Sequence, residues 1–408
     1  MMSSEQERVL LEHLPVVRFL ARRIHERLPQ HVDIEDLVSA GVVGLMDAFT
    51  KFDPDKKVQF RSYAQFRIRG AILDSLRMLD WSPRELRRKG RAVEEAIHTL
   101  TARLGRPPGE GEVLVRNSLV SLEPYMRGRM NDAKSYVPPF ALGEPLRGAA
   151  IGTVVASRVP EIPAGATVLH DRGWREFAVV PTKSARVIDT SRVPAETYLG
   201  ALGTTGFTAW VGLRIIADAK AGETLFVSAA AGAVGSMAVQ LAKRQGLRVI
   251  GSASSPEKAR VVREELGADG AFDYHDDVPA QLRALAPDGI DLYFDNVGGG
   301  QLEAAIGATR NFARIVLCGA ISRYNDAAPP AGPRNLYLAI GRRLRLQGFI
   351  VSDHLARFSE FAAEVAPLIA KGELKTPTAF VDGLENAPAA FMQLLRPNAN
   401  VGKLVVRV

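Results

Sequence analysis

The sequence has almost no cysteine: Cys318 stands alone among 408 residues. That excludes an intramolecular disulfide and a cysteine-cluster zinc site. Histidine is sparse as well. The seven are scattered, no His-x-x-x-His pair occurs, and no bound metal is expected. No apolar run approaches the roughly 18 residues that a membrane span requires. The N-terminus, Met1-Met2-Ser3-Ser4-Glu5-Gln6-Glu7-Arg8, lacks the apolar core of a signal peptide. No membrane partner is therefore expected, and the expected location is cytoplasmic.

What is present suits an ordinary globular chain, with 24% charged and 47% hydrophobic residues. The length fits two or three domains. The net charge of +7 is modest but unevenly placed. From Lys56 to Arg91, eleven Lys and Arg stand against three Asp and Glu. Such a local basic patch points to a polyanion more than the overall charge does.

The texture changes near Pro107-Pro108. Before it, apolar residues recur at helical spacing: Val9, Leu10, Leu14, Val17, Phe19, Leu20 and Ile24 predict one helix. Asp33-Ile34-Glu35-Asp36 opens a second, with acids where they suit the helix dipole, and Phe52-Asp53-Pro54 stops it. A third is predicted over Phe60 to Leu79. A fourth begins near Ser82-Pro83 and runs to about Leu104. After Gly109 the pattern turns to strands at 112–116, 151–156 and 177–180, dense with proline and glycine between them. From about Tyr198 strands and helices alternate. Strands are expected at 224–228, 248–251, 271–274, 292–295, 313–318 and 344–349, forming a parallel, doubly wound sheet. The stretch 327–334 reads as a Pro/Gly-rich loop.

The strongest local motif runs from Thr224 to Lys243, strand into glycine turn into helix. Gly232 permits the tight turn and Gly235 the close approach of helix to strand. The helix start then offers free N–H groups to a pyrophosphate. The form is Ala-x-Gly-x-x-Gly, and a plain tight turn is the alternative. The next strand ends in Gly251-Ser-Ala-Ser-Ser255, followed by Lys258. An acid at that point would hold ribose hydroxyls. Small hydroxyls and a lysine suit a 2′-phosphate instead, unless Lys258 merely sits on a solvated face. Two more strands end in polar, glycine-rich turns, Asp295-Asn296-Val-Gly298-Gly299 and Cys318-Gly319-Ala-Ile-Ser-Arg-Tyr324.

These segments resemble the zinc-free medium-chain dehydrogenase/reductase superfamily. The branch they resemble holds the prostaglandin, alkenal double-bond and curcumin reductases. Ser121-Leu-Glu-Pro-Tyr125-Met-Arg-Gly-Arg129-Met130, Gly173-Trp174, Gly203-Thr-Thr-Gly206 and Asn400-Val-Gly-Lys403 fit as well. The resemblance implies a Rossmann nucleotide-binding domain and an NADP cofactor. It places Gly232, Ala233, Val234, Gly235 and Ser236 at the pyrophosphate and Lys258 and Tyr274 at the 2′-phosphate. Asn296, Cys318, Gly319, Tyr324, Phe349, Val351 and Asn400 line the rest. It implies hydride transfer from NADPH to the β-carbon of an α,β-unsaturated ketone or aldehyde, with a hydrogen-bond donor at the carbonyl oxygen. Tyr324 and Tyr125 are the candidates, ordinary packed tyrosines the alternative.

In the N-terminal third, Phe60 to Asp74 interleaves aromatics with arginines, as a reader of unpaired bases would. A helix with one packed aromatic side and one solvated basic side is the plainer reading. The string Asp36 to Phe49, Phe52-Asp53, Phe60-Arg-Ser-Tyr63 and Arg69-Gly-Ala-Ile72-Leu-Asp74, with Asp80-Trp81-Ser-Pro83-Arg84, resembles region 2 of flagellar- and sporulation-type RNA polymerase sigma factors. That implies core RNA polymerase and promoter DNA as partners of residues 1–108. Arg61, Tyr63, Phe66, Arg67, Arg69, Trp81 and Arg84 would be the DNA-binding residues.

The expected architecture is therefore multidomain. An all-α domain occupies 1–108, a Rossmann doubly wound domain 195–340, and a β-rich, GroES-like substrate domain 109–194 with 341–408. The sigma resemblance stops near residue 108, without the reader of the −35 element. The reductase resemblance begins near 109, without its family's first strands, so an open sheet edge and an incomplete substrate domain are expected. The leading functional reading is an NADPH-dependent enone or alkenal reductase fused to a sigma-like module. The alternative is a sigma-like initiation protein with an impaired reductase. A redox-gated regulator has only co-linearity in its favour. The reductases are often dimers, which leaves a homodimer open.

Overall fold

Asp33 fixes the start of a helix by accepting the backbone N–H of Glu35 at 3.0 Å. This is N-capping, which satisfies one orphan donor of the first turn. The structure, a computed structural model, describes residues 4–25, 33–53, 59–79, 109–326, 328, 331–396 and 400–408. They fall into two units, Met1–Glu94 and Glu95–Val408.

The first unit contains α1 (Ser4–His25), α2 (Ile34–Lys51) and α3 (Phe60–Leu79). All three match helices expected from the sequence. The expected helix at 82–104 lies outside the described residues. Val17, Leu37, Leu45, Ile68 and Ile72 are fully buried between them. α2 and α3 approach closely at Gly44, where a Cβ would meet the Arg67 carbonyl at 2.7 Å. Glycine is thus required by the crossing, not by any turn.

The second unit holds two sheets. One is six-stranded and wholly parallel, built from β6 (Thr224–Val227), β7 (Arg248–Ala253), β8 (Gly270–Asp273), β9 (Ile290–Asp295), β10 (Thr309–Leu317) and β11 (Arg345–Gly348). Its order is β11-β10-β9-β6-β7-β8. The chain steps outward from β6 to β8, then restarts on the other side at β9. The direction of winding therefore reverses between β6 and β9, and such a point opens a crevice at the carboxyl ends of the strands. Apolar runs such as Leu225-Phe226-Val227 and Leu292-Tyr293-Phe294 are buried on both faces, as a covered parallel sheet demands.

The other sheet has seven strands in the order β12-β13-β1-β2-β3-β5, with β4 also paired to β1. They are β1 (Glu112–Leu122), β2 (Ala150–Ser157), β3 (Thr167–His170), β4 (Phe177–Pro181), β5 (Arg186–Val187), β12 (Thr378–Asp382) and β13 (Lys403–Arg407). Sequence reasoning finds only parts of three of these. β3 lies inside 160–172, where no strand is expected, because four residues between turns carry too little periodicity to register. An open sheet edge is expected from the missing first strands, and β1, the first strand described, is not that edge. That strand is interior, paired with β13, β2 and β4, and Val113, Leu114 and Val115 are fully buried. β13, from the far end of the chain, covers its flank.

Candidate cofactor and substrate site

The turn after β6 leads directly into α5 (Ala233–Arg244), which follows α4 (Thr204–Val211) in the chain. Gly232 is its N-cap residue, in extended conformation. A Cβ on Gly235 would lie 2.2 Å from the Ala229 carbonyl oxygen and 2.8 Å from Ala230 Cα. Those are backbone atoms that cannot yield, so only glycine lets the helix begin this close to the turn. The unpaired N–H groups of that first turn face a cavity of about 1540 Å³, walled by both sheets.

Across the crevice, Asn296 follows β9. Its backbone N–H donates to Ser228 Oγ at 2.9 Å and its side-chain amide to the Ser228 carbonyl at 2.8 Å. The two strands flanking the reversal are thereby stitched together at their ends. Asp295 beneath them is buried. It accepts from Tyr293 Oη at 2.7 Å and from the N–H groups of Val297 and Gly298 at 2.9 and 2.8 Å. Burial raises its carboxyl, and the turn wrapped around it carries Gly298 and Gly299 at φ +72° and +56°. Asp295 is a site-building residue that sequence reasoning quotes without giving it a role.

At the end of β7 the chain passes through Ser254 and Ser255 into α6 (Pro256–Glu264). Ser255 caps that helix by accepting the Lys258 N–H at 3.2 Å. Lys258 Nζ donates to Ser254 Oγ at 3.1 Å, and burial lowers its ammonium from the ordinary range. Tyr274 follows β8 and lines the same corner, its ring 4.3 Å from that of His275.

Cys318, Gly319 and Tyr324 occupy the loop after β10, and Phe349 and Val351 that after β11. All five line the cavity, as does Asn400. Burial pushes the Cys318 thiol up to about 12, which leaves it an inert packing group. The Tyr324 hydroxyl accepts the Ala320 N–H at 3.4 Å, so its hydrogen remains available to a ligand. Tyr125, on the short helix after β1, lines the cavity from the other sheet. Burial holds both phenols above their ordinary value.

Of the residues expected at the cofactor, Ser236 alone is turned away. It is buried on α5 and donates to the Ala233 carbonyl at 3.3 Å. Helical rotation carries it off the opening that Gly232–Gly235 face. The structure also adds wall residues to which the sequence assigns no role. Glu123 and Lys403 form a buried ion pair of 2.7 Å. His170 is wedged between Asn117 Oδ1 at 2.9 Å and the Arg172 N–H at 3.0 Å. Among the described residues no group of three or more His, Cys, Asp or Glu stands together as a metal would require. No helix among them is long and apolar enough to cross a membrane.

The helical unit sorts its candidates differently. Arg61, Phe66 and Arg69 are exposed on α3, Phe66 at 74%. Tyr63 packs inward, its ring 5.9 Å from Phe52. Arg67 is engaged by Asp47 of α2, which Lys51 also meets at 2.7 Å. Trp81 and Arg84 lie outside the described residues.

Comparison with known proteins matches three family models to the chain. Residues 9–82 match Sigma-70 region 2, 85–188 the N-terminal domain of oxidoreductase, and 233–371 zinc-binding dehydrogenase. The NADPH-dependent curcumin reductase of Escherichia coli is 41% identical over 307 residues, 74% of this chain and 89% of that protein. The NADP-dependent 2-alkenal reductase of Nicotiana tabacum is 39% identical, over 76% of this chain and 92% of that protein. The crystal structure of CurA from Vibrio vulnificus in complex with NADPH superposes with a TM-score of 0.70. It is 40% identical and covers 74% of this chain and 91% of its own.

Proposed function

The chain belongs to the NADP-dependent medium-chain oxidoreductase family that holds the curcumin and 2-alkenal reductases, and on that premise we propose that it reduces the carbon–carbon double bond of α,β-unsaturated ketones and aldehydes. The observation that carries this reading is the Tyr324 phenol. It is kept protonated by burial, its oxygen is held by Ala320, and its hydrogen is free in the same cavity as the glycine cradle.

The residues fit NADP. A cradle that a Cβ at Gly235 would fill admits a pyrophosphate against the start of α5. Lys258 with Ser254, beside Tyr274, suits a 2′-phosphate. Asn296, Cys318, Gly319, Phe349, Val351 and Asn400 complete the wall. When bound, NADPH supplies a hydride to the β-carbon. The protein's part is to place a donor where negative charge gathers, at the carbonyl oxygen. Tyr324 fills that role, and Tyr125 on the opposite sheet is the second donor. The division 109–194 with 341–408 for the substrate domain and 195–340 for the nucleotide domain shifts at one boundary: β11 pairs with β10 and Phe361, Val365 and Ile369 pack in the core of the parallel sheet, so we extend the nucleotide domain to about residue 370.

The test is NADPH oxidation with a 2-alkenal, beside its saturated aldehyde as control. Turnover of the alkenal alone supports the reading. Tight NADPH binding without turnover of any enone overturns it.

A second activity is favoured by one feature of the helical unit. Phe66 stands exposed between the exposed cations Arg61 and Arg69. A ring for base stacking on a helix that also exposes guanidinium groups suits the unpaired strand of a promoter −10 element. We assign residues 1–108 to core RNA polymerase and that strand, which places the protein in the cytoplasm. Retention of core polymerase by the full chain supports this, and absence of binding removes it.

A further inference from the structure

Glu123 and Lys403 are 280 positions apart, yet their side chains meet at 2.7 Å. Lys403 is 3% exposed and Glu123 7%, so water screens the contact hardly at all. Glu123 directly follows β1, two residues before Tyr125. Lys403 opens β13, directly after Gly402. Neither acts alone. Glu123 Oε1 also accepts from Ser121 Oγ at 2.9 Å, and Lys403 Nζ reaches the Leu122 carbonyl at 3.4 Å.

On the far side of Lys403, the Gly402 N–H donates to the Ala231 carbonyl at 2.7 Å, immediately before Gly232 of the cradle. Gly402 itself is locked. Its φ is +71°, and a Cβ there would lie 1.9 Å from the Pro377 carbonyl oxygen. A continuous run of short contacts therefore joins the glycine cradle to the Tyr125 segment, with the ion pair as a side-chain link beside the β1–β13 ladder.

A buried ion pair is a poor stabiliser, because desolvation of both charges cancels most of their attraction. What it does supply is geometry, since two buried charges tolerate few arrangements. We propose that Glu123 and Lys403 are positioning residues that hold the Tyr125 phenol in register with the glycine cradle. The β1–β13 ladder joins the two strands, and the ion pair fixes the register of the segment that leaves β1 towards the substrate end. The proposal rests on the reductase reading only in taking Tyr125 to face the substrate carbonyl.

The test uses the full chain carrying Glu123→Met together with Lys403→Met. Replacing both charges by apolar side chains of similar volume is commonly neutral or stabilising, so the melting temperature is expected to hold or rise. In the native protein NADPH is expected to slow backbone hydrogen exchange across Pro124–Met130. In the double variant that slowing disappears at saturating NADPH. With a 2-alkenal, kcat falls by about tenfold or more, the scale of loss for a misplaced reacting group. The NADPH dissociation constant changes by less than about threefold, and Lys403→Arg, which keeps the charge, retains most of kcat.

Unchanged slowing of exchange with kcat near the native value overturns the proposal. So does NADPH binding weakened more than about tenfold at unchanged kcat, which would make Lys403 a cofactor ligand instead. If the native protein turns over no enone, the reductase reading fails, and the exchange measurement alone still decides this one. Should the double variant not fold, Glu123→Asp, which withdraws the carboxylate by one methylene, is expected to show the same losses in smaller size. Native values in that variant overturn the proposal.

Discussion

Lys258 donates its ammonium to the Ser254 hydroxyl at 3.1 Å, and among the described residues no carboxylate comes within ion-pair distance of it. A lysine so placed at the end of a strand, part-buried and without an acid, is available to an anion. Lys258→Ala therefore removes a charge-assisted contact of roughly 1.5–3 kcal/mol with a 2′-phosphate, or about ten- to a hundredfold in affinity. The expected result is a rise of that size in KM for NADPH, with KM for NADH nearly unchanged. Steady-state kinetics with both cofactors check it. An equal rise for both would assign Lys258 to general folding.

Tyr324→Phe and Tyr125→Phe remove hydroxyls without changing ring packing. Loss of one donor to a developing oxyanion typically costs about a hundred- to a thousandfold in kcat. Tyr324→Phe is expected to reach that range and Tyr125→Phe to fall short of it, with NADPH binding unaffected in both. Because burial raises both phenols above their ordinary value, the donor proton is retained as pH rises. The rate of the native protein is accordingly expected to show no loss from tyrosine ionisation between about pH 7 and 9. A decline there with a tyrosine signature in ultraviolet absorbance would contradict this.

His170 is 4% exposed, accepts the Arg172 N–H at Nδ1 and donates from Nε2 to Asn117 Oδ1. Burial pushes its imidazole down to about 4. Below about pH 6.5 the unfolded chain takes up a proton that the folded imidazole refuses. The unfolded state thus binds more protons, and stability falls as pH drops from 6.5 towards 4, by up to about 3 kcal/mol. Thermal unfolding across that window should show the decline, and His170→Gln should flatten it. An identical slope in the variant would place the effect elsewhere.

On α3, position decides the outcome of substitution. Phe66→Ala touches an exposed ring and should leave the melting temperature of the helical unit within about a degree or two of native, as surface changes do. It should cost about 1–3 kcal/mol, or roughly five- to a hundredfold, in binding of a single-stranded −10 oligonucleotide by the polymerase complex. Tyr63→Ala, by contrast, opens the packing against Phe52 and should unfold the unit at lower temperature. Equal effects on stability at the two positions would remove the basis for the DNA-binding face.

The sequence by itself determined those parts whose cause is local. Gly232 and Gly235 announce a strand, turn and helix within a dozen residues, because the turn needs a tight backbone and the helix needs a close approach at fixed offsets. Asp33 and the apolar spacing around Leu37 and Leu45 announce α2 for the same reason. The tertiary structure decided whatever depends on residues remote in the chain. The last strand, β13, covers the flank of β1, since pairing depends on which strand arrives there. Rotation along α5 turns Ser236 from the cavity while its neighbours face it. Packing against α2 absorbs Arg67 and leaves Phe66 in solvent. Glu123 and Lys403 each read as one charged residue in a motif, and only folding across 280 positions removes both from water and joins them at the wall of the site.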